Sequence, residues 1–244
     1  MSSKEIQQVE VRPGTLKRWY AMKHILQSRI KDGQVVLDVG GYDGFIAYKL
    51  TEIYPNLEAT VVDIDCSGLK LAKRRGLSVL SASADALPIR DNSVDIMICF
   101  DIIEHVANDA GFIKEVSRAL KENGIVFLIC GFKNRFMIPF KDMTMIYNSW
   151  GLVRNGYEFA EIKNLFDSNS LHICKRGRIA NIFSRYAYYL AFLSKIPLRG
   201  KGKLYRALIR LEPFVKIRAT EHAIVGMKSM QASYNENGNP MAPR

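Results

Sequence analysis

Three carboxylates lie at or near the ends of predicted strands in the first half of the chain, at Asp38, Asp63 and Asp85. The turn after Asp38 is rich in glycine, which lets a backbone turn tightly and approach a ligand; it contains Gly40, Gly41 and Gly44. A helix is predicted from Phe45, and its first N–H groups can face an anion or nucleotide. Asp63 follows at the distance expected for a carboxylate that binds ribose hydroxyls. Together these features predict a nucleotide-binding unit.

Apolar runs that predict strands alternate with segments that have helical spacing. The predicted strands are 35–39, 59–64, 78–81, 94–100, 125–130, 170–175 and 221–227, and the predicted helices are 14–30, 45–54, 67–75 with Ser67 as its cap, 109–123 and 158–166. This alternation predicts an α/β fold with parallel strands joined by right-handed crossovers. Ligands of such sheets bind at the carboxyl ends of the strands, where the three carboxylates fall.

Four segments in order resemble the class I S-adenosylmethionine-dependent methyltransferases, most closely those that act on small molecules, lipids and glycans. They are VVLDVGGYDG, VVDIDCSGLKLAKRRG, SADALPIRDNSVDIMICFDIIEHV and RALKENGIVFLI, within residues 34–130. The resemblance implies a Rossmann-like, doubly wound sheet of seven mostly parallel strands. The last strand is expected to lie antiparallel between strands five and six, with a helical cap inserted before it.

The resemblance also implies S-adenosyl-L-methionine as the cofactor and assigns residues to its parts. Asp38, Gly40, Gly41 and Gly44 border the methionine portion. Asp63 binds the ribose, with Ile64 beside it. Asp85 reaches the adenine amino group, the Ala86 amide lies next to it, and Phe100 to Ile102 lie under the cofactor at the end of the fourth strand.

The glycine turn departs from the family pattern Asp-x-Gly-x-Gly-x-Gly, because Tyr42 stands in place of the middle glycine. We expect the Tyr42 side chain to point away from the cofactor. Gly41, one position earlier, is expected to supply the conformational freedom of the turn.

Glu104 and His105 follow the fourth predicted strand and are the candidate catalytic bases, expected to face the mouth of the pocket; a structural role for the pair remains open. A base is required when a hydroxyl is methylated and less so for an amine. Substrate contacts are expected in the aromatic segment 131–157, although a solvated loop is an open alternative; the candidates are Arg135, Tyr147, Arg154 and Tyr157. No metal site is predicted, because the histidines are scattered.

The net charge of +11 is concentrated in one stretch. Residues 171–220 contain twelve Lys or Arg against one acid, Glu212, which accounts for the whole excess. Within it, 179–218 combines bases with aromatic and aliphatic residues, a composition typical of helices that lie on an anionic membrane or cap a hydrophobic substrate. A cap packed on its own core or on a second copy is the alternative. Nucleic acid is disfavoured, because the stretch is as apolar as it is basic.

One methyltransferase domain is predicted over 1–230, with a cofactor-binding core at 34–130, insertions at 131–157 and 178–219, and a flexible tail at 231–244. The four cysteines form no C-x-x-C pair and are expected to be buried free thiols. We therefore predict a cytoplasmic enzyme, peripheral at a membrane, that methylates a hydrophobic, lipid-linked or glycan-type acceptor. The alternatives are an RNA or protein methyltransferase and a non-catalytic binding module, which Tyr42 permits.

Overall fold

The computed structural model describes residues 13–133, 151–180, 210 and 219–229. The helices are α1 (Pro13–Gln27), α2 (Phe45–Thr51), α3 (Cys66–Arg74), α4 (Asp109–Ala119) and α5 (Phe159–Asp167), with a 3₁₀ turn at Ile103–His105. The strands are β1 (Val35–Val39), β2 (Glu58–Asp63), β3 (Ser78–Ser81), β4 (Val94–Phe100), β5 (Leu120–Gly131), β6 (Leu171–Ile179) and β7 (Glu221–Lys228).

The seven strands form one sheet in the order β3-β2-β1-β4-β5-β7-β6. The pairs among β1 to β5 are parallel. β7 is antiparallel to β5 on one side and to β6 on the other. The predicted doubly wound, mostly parallel sheet with an inserted antiparallel last strand is therefore confirmed.

Alternation along the strands divides the core into two layers. Val36 packs into the layer that includes α1, α2 and α3, whereas the next residue, Leu37, packs into the layer of α4 and α5. Both side chains are almost fully buried. Helices therefore cover both faces of the sheet, as parallel strands joined by crossovers require, and its carboxyl edge remains for ligands.

The first helix is tied to the sheet by buried charges as well as by apolar packing. The Lys17 Nζ donates to Glu221 Oε1 at 2.5 Å, and both side chains are about nine-tenths buried. Arg18 forms an ion pair with Asp101 and lies 3.7 Å from Glu221. These pairs join α1 to the end of β4 and the start of β7, so they fix α1 beside the carboxyl edge.

Several predicted boundaries are wrong: α1 and α2 end at Gln27 and Thr51, three residues before the predicted ends. α4 ends at Ala119 and β5 begins at Leu120, because Leu120 pairs with Val94 and the register shifts before Ile125. The side chain that caps α3 is Asp65 and not Ser67: its carboxylate accepts hydrogen bonds from two amides in the first turn. β6 continues four residues beyond the predicted end, to Ile179, because its pairing with β7 extends that far.

The prediction that all four cysteines are buried is also wrong. Cys99 and Cys130 are buried on central strands, whereas Cys66 and Cys174 are exposed. Cys174 lies on β6, the outermost strand, and does not pack into the core. The helical cap at 179–218 and the tail at 231–244 lie almost entirely outside the described residues and stay predictions.

His222, near the start of β7, is a buried histidine with an altered pKa. Its Nε2 donates a hydrogen bond to the carbonyl oxygen of Tyr157 at 3.1 Å, and its ring packs 4.2 Å from that of Phe132. The pKa is lowered to about 4, chiefly by burial; the bond to Tyr157 raises it, and the charges of Arg176 and Arg178 lower it. The ring is therefore neutral in the folded protein at pH 7.

This burial predicts a loss of stability in mild acid. The unfolded chain takes up a proton at His222 near pH 6.5, whereas the folded protein resists it until pH is near 4. The contribution of His222 to the free energy of unfolding is complete above pH 6.5 and declines as pH falls toward 4. Between pH 6.5 and pH 5 the free energy of unfolding should fall by about 2 kcal/mol. Urea unfolding at several pH values measures it. His222→Gln should flatten the profile, and His172→Gln, at an exposed position, should not.

Candidate active site

A cavity of about 410 Å³ opens at the carboxyl ends of β1, β2 and β4, under the start of α1. Its volume is in the range of small-molecule sites. Its walls come from these three strand ends and from α1; the lining residues are Thr15, Arg18, Asp38, Gly40, Gly41, Tyr42, Ile46, Asp63, Ile64, Asp65, Phe100, Asp101, Ile102 and His105. The structure thus brings together most of the residues assigned to the cofactor by sequence.

The glycine turn follows β1 and forms one wall of the cavity. Gly40 and Gly44 have φ of 71° and 65°, the left-handed region that glycine adopts readily. Gly41 has an ordinary φ and is needed for space, because a Cβ there would lie 2.7 Å from Asp38 Cγ. The prediction that Gly41 supplies the freedom of the turn is therefore wrong: Tyr42 itself adopts a φ of 50°.

Asp63 ends β2 and holds two loops with its carboxylate. Its Oδ2 accepts a hydrogen bond from the Tyr42 amide at 2.8 Å, and its Oδ1 accepts one from the Asp65 amide at 2.9 Å. Each oxygen keeps further acceptor capacity, since a carboxylate has about four lone-pair sites. Asp63 can therefore hold the glycine turn in place and accept hydrogen bonds from a ligand hydroxyl at the same time.

Apolar side chains supply the remaining walls. Ile64 is 75% exposed beside Asp63 and lines the cavity, so its side chain can pack against the face of a ligand ring. Phe100 lines the cavity at the end of β4. Ile102 packs against Gly40, where an added Cβ would lie 2.9 Å from its side chain. A ligand here is offered both apolar surface and carboxylates.

Arg18 is a cavity residue that the sequence analysis did not select, and Asp101 is one that it placed under the cofactor without a role of its own. Asp101 follows β4 with a φ of 55°, and its amide donates to the carbonyl of Ile129 at 2.9 Å. Its carboxylate pairs with Arg18 of α1. The sequence feature that points to Asp101 is its place directly after the fourth predicted strand, where ligands of such sheets bind. His105 lines the same side, where its Nδ1 lies 3.1 Å from the carbonyl oxygen of Gly151.

Glu104, predicted to face the pocket mouth, is instead buried outside the lining. Its Oε1 accepts the amide of Gly131 at 2.5 Å, and only 2% of the residue is exposed. Its carbonyl oxygen accepts hydrogen bonds from the amides of Val153 and Arg154. Glu104 therefore joins the 3₁₀ turn to the end of β5 and to the chain at 153–154, which is a structural task.

Asp85, Ala86 and Gly44 are not among the lining residues. The Ala86 amide donates to the carbonyl of Ser83 at 3.2 Å, within a turn beyond β3. Two side chains of α4 hold this loop by hydrogen bonds to Leu87. The Glu115 carboxylate accepts a hydrogen bond from the Leu87 amide at 2.8 Å, and Arg118 donates one to the Leu87 carbonyl oxygen at 2.9 Å. The adenine assignment of Asp85 and Ala86 stays a prediction.

Two of the four predicted substrate residues are described, and neither lines the cavity. Tyr157 is buried, and its hydroxyl donates to the Ile103 carbonyl at 3.2 Å and lies 3.1 Å from Asp109 Oδ2. Its pKa is raised, chiefly by burial. Arg154 covers the Tyr157 ring at 4.6 Å and pairs with Asp109 and Glu161. Arg135 and Tyr147 lie outside the described residues.

Within the described ranges, no group of three or more His, Cys, Asp or Glu side chains is arranged to hold a metal ion. Over the same ranges, none of the helices has the length and apolar character needed to cross a bilayer.

The cavity fits S-adenosylmethionine by the chemistry of its groups. Asp63 offers acceptors to ribose hydroxyls, and Ile64 offers an apolar face to a ring. Asp38 places negative charge near the glycine turn, where a cationic sulfonium and ammonium would be stabilised, whereas the charge of Asp101 is balanced by Arg18.

Sequence comparison gives an independent result. Residues 37–128 match the family described as methyltransferase domain. The ubiquinone/menaquinone biosynthesis C-methyltransferase UbiE of Coxiella burnetii is 25% identical over 150 residues, which are 58% of this chain and 60% of that protein. An uncharacterized methyltransferase of Mycobacterium bovis is 33% identical over 99 residues, 39% of each protein. The match therefore spans about three fifths of the first of these relatives.

Solved structures agree in fold. A SAM-dependent methyltransferase from Methanosarcina mazei has a TM-score of 0.59 at 15% identity, covering 85% of this chain and 98% of that one. The phosphoethanolamine N-methyltransferase 2 of Haemonchus contortus, in complex with phosphomonomethylethanolamine and S-adenosylhomocysteine, has a TM-score of 0.60 at 16% identity, covering 87% and 53%. Residues 37–128 therefore carry a methyltransferase domain, and the strand order and the carboxyl-edge cavity agree with a class I S-adenosylmethionine-dependent methyltransferase.

Proposed function

We propose that this chain transfers a methyl group from S-adenosylmethionine to a small organic acceptor of hydrophobic, lipid-linked or glycan type. The observation that carries the proposal is the cavity in which the Asp63 carboxylate and the glycine turn are held together by a 2.8 Å hydrogen bond. Asp101 and His105 lie on the β4 side of the same cavity. The proposed cofactor end and the proposed acceptor end therefore flank β1.

The bound cofactor supplies an activated methyl group on its sulfonium. The protein must then place the acceptor atom in line with that methyl, and such positioning accounts for much of the rate in bimolecular transfers. Where the acceptor is a hydroxyl or a carbon acid, a base is also needed. We assign that task to His105 or Asp101, because Glu104 is buried against the Gly131 amide.

The acceptor class is supported by composition and by one relative. The UbiE relative is named a ubiquinone/menaquinone biosynthesis C-methyltransferase, which favours a small organic acceptor for this chain as well. The cavity of this chain combines Phe100, Ile102 and Ile64 with charged groups, as a partly apolar acceptor requires. A polymer would need an extended groove in addition to this pocket.

The proposal predicts where label from the cofactor goes. The protein is incubated with methyl-labelled S-adenosylmethionine and a cell extract, and label is then counted in the organic phase, in small soluble products of the aqueous phase and in macromolecular precipitate. We expect label in the organic phase for a hydrophobic or lipid-linked acceptor, or in a small soluble product of the aqueous phase for a glycan, and none in the precipitate. Label in the precipitate would instead support an RNA or protein methyltransferase. A protein that binds S-adenosylhomocysteine in calorimetry but transfers no label would support the non-catalytic binding module.

Peripheral binding to an anionic membrane, by a cytoplasmic protein, is part of the same proposal. β6 is the outer strand of the sheet and exposes Lys175, Arg176 and Arg178, directly before the basic segment 179–218. We expect sedimentation with phosphatidylglycerol vesicles and not with phosphatidylcholine vesicles. Sedimentation should weaken when four bases are changed to Gln: Arg199, Lys201, Lys203 and Arg206. A wild-type protein that stays in the supernatant with both vesicles contradicts membrane binding.

A further inference from the structure

Tyr42 occupies a glycine position of the turn in a conformation that favours glycine. Its φ of 50° lies in the left-handed region, where a Cβ crowds the following carbonyl oxygen. A residue of this kind persists when its surroundings hold it in place, and such residues gather at functional sites. The contacts of Tyr42 show what holds it.

The ring of Tyr42 packs against a glycine of α3, Gly68. A Cβ placed on Gly68 of α3 would lie 2.5 Å and 2.7 Å from Cδ2 and Cγ of the ring, and 2.9 Å from the carbonyl carbon of Tyr42. No other residue type therefore leaves room for the ring at position 68. Gly68 is buried and is not among the cavity-lining residues; it contacts two of them, Tyr42 and, through its amide, the Asp65 carboxylate.

The amide of Tyr42 is bonded to Asp63, the carboxylate proposed to bind the ribose. It donates to Asp63 Oδ2 at 2.8 Å, and Tyr42 itself lines the cavity. The following residue is held by the same helix, because Arg75 at the end of α3 forms a buried ion pair with Asp43 at 3.2 Å and donates to its carbonyl at 2.7 Å. The turn is thus held by α3 at two points, and the Tyr42–Gly68 contact is the one next to the cavity.

We propose that Tyr42 is a positioning residue of the cofactor site and that Gly68 is its required counterpart. The ring seated on Gly68 fixes the left-handed turn and so keeps the Tyr42 amide on Asp63, which orients the carboxylate for the ribose. This inference rests on the proposed function, since it takes the ligand of the cavity to be S-adenosylmethionine. The substitution that departs from the glycine pattern then serves binding, through a contact that a glycine at position 42 could not make.

The test is a double-variant cycle read by calorimetric titration with S-adenosylhomocysteine. Gly68→Ala should weaken binding about tenfold, because the new methyl displaces the ring. Tyr42→Gly should weaken binding by a similar factor, since the turn loses the packing of the ring against Gly68. The double variant should lose less than the product of the two single losses, because the methyl then meets only the Tyr42 carbonyl carbon, at 2.9 Å, and no longer the ring. Tyr42→Phe keeps the ring and should bind like the wild type.

Thermal unfolding without ligand separates binding from folding. Should Gly68→Ala fail to fold, the comparison of Tyr42→Gly with Tyr42→Phe still decides the question. Wild-type affinity in Gly68→Ala or in Tyr42→Gly overturns the inference, as does a double variant whose loss is the product of the two single losses. In those cases the wild type still binds S-adenosylhomocysteine and the proposed function stands. A wild type that does not bind the compound overturns both.

Discussion

Replacing Asp63 with alanine should weaken the binding of S-adenosylhomocysteine by about tenfold to a hundredfold. The carboxylate lies at the end of β2 in the cavity wall, and a hydrogen bond to a charged acceptor contributes about 1.5–3 kcal/mol. The alanine also releases the amides of Tyr42 and Asp65, which Asp63 accepts at 2.8 Å and 2.9 Å. Calorimetric titration of the purified variant measures the loss.

Asp63→Asn separates these two effects. The asparagine keeps one oxygen acceptor for the glycine turn but loses the charge, so its affinity should lie between those of the wild type and of Asp63→Ala. Asp32→Ala is the matched control, because Asp32 also accepts a backbone amide, that of Asn56, at an exposed site outside the cavity lining. An unchanged affinity in Asp63→Ala would place the ribose site elsewhere.

Asp63 and the strand order could be predicted because they depend on local features. An acid that closes an apolar run needs only the strand to end there, and the parallel sheet follows from alternation of strands and helices. The start of β5 could not be predicted in this way. Leu120 continues the helical spacing of α4, but its pairing with Val94 outweighs that local preference.

The acid that faces the cavity could not be chosen from residue types. Asp101 and Glu104 lie three positions apart in one segment, and both are acids after the fourth strand. The positive φ of Asp101 redirects the chain at the strand end, so Asp101 reaches the cavity while Glu104 is buried on the Gly131 amide. A backbone dihedral of a non-glycine residue is set by tertiary contacts, which the sequence does not display.

The same reason explains Tyr42 and Arg18. The sequence showed that a tyrosine replaces a glycine, but the space for its ring depends on Gly68, twenty-six positions later. Arg18 reaches the cavity only because Lys17 and Arg18 pair with acids on β7 and after β4. These ion pairs join residues that are far apart in the sequence. The place of α1 beside the cavity can therefore be seen only in the folded structure.

Removing Glu221 should therefore be the most destabilising of the single changes considered for this edge of the sheet. Glu221→Ala leaves the Lys17 ammonium, whose side chain is 11% exposed, without the carboxylate it contacts at 2.5 Å. Breaking a buried ion pair on one side costs about 3–5 kcal/mol, because the remaining charge stays desolvated. Urea unfolding at pH 7 should show a loss of this size in the free energy of unfolding.

Two control variants test whether the loss in Glu221→Ala comes from breaking a buried ion pair. Glu52→Ala breaks an exposed pair with Lys49 and should cost no more than about 0.5 kcal/mol. The double variant Lys17→Met/Glu221→Gln removes the stranded ammonium and should recover part of the loss. A Glu221→Ala protein as stable as Glu52→Ala would show that apolar packing alone holds α1. If the ion pairs hold it, Glu221→Ala should also bind S-adenosylhomocysteine more weakly, because α1 carries Thr15 and Arg18 into the cavity wall.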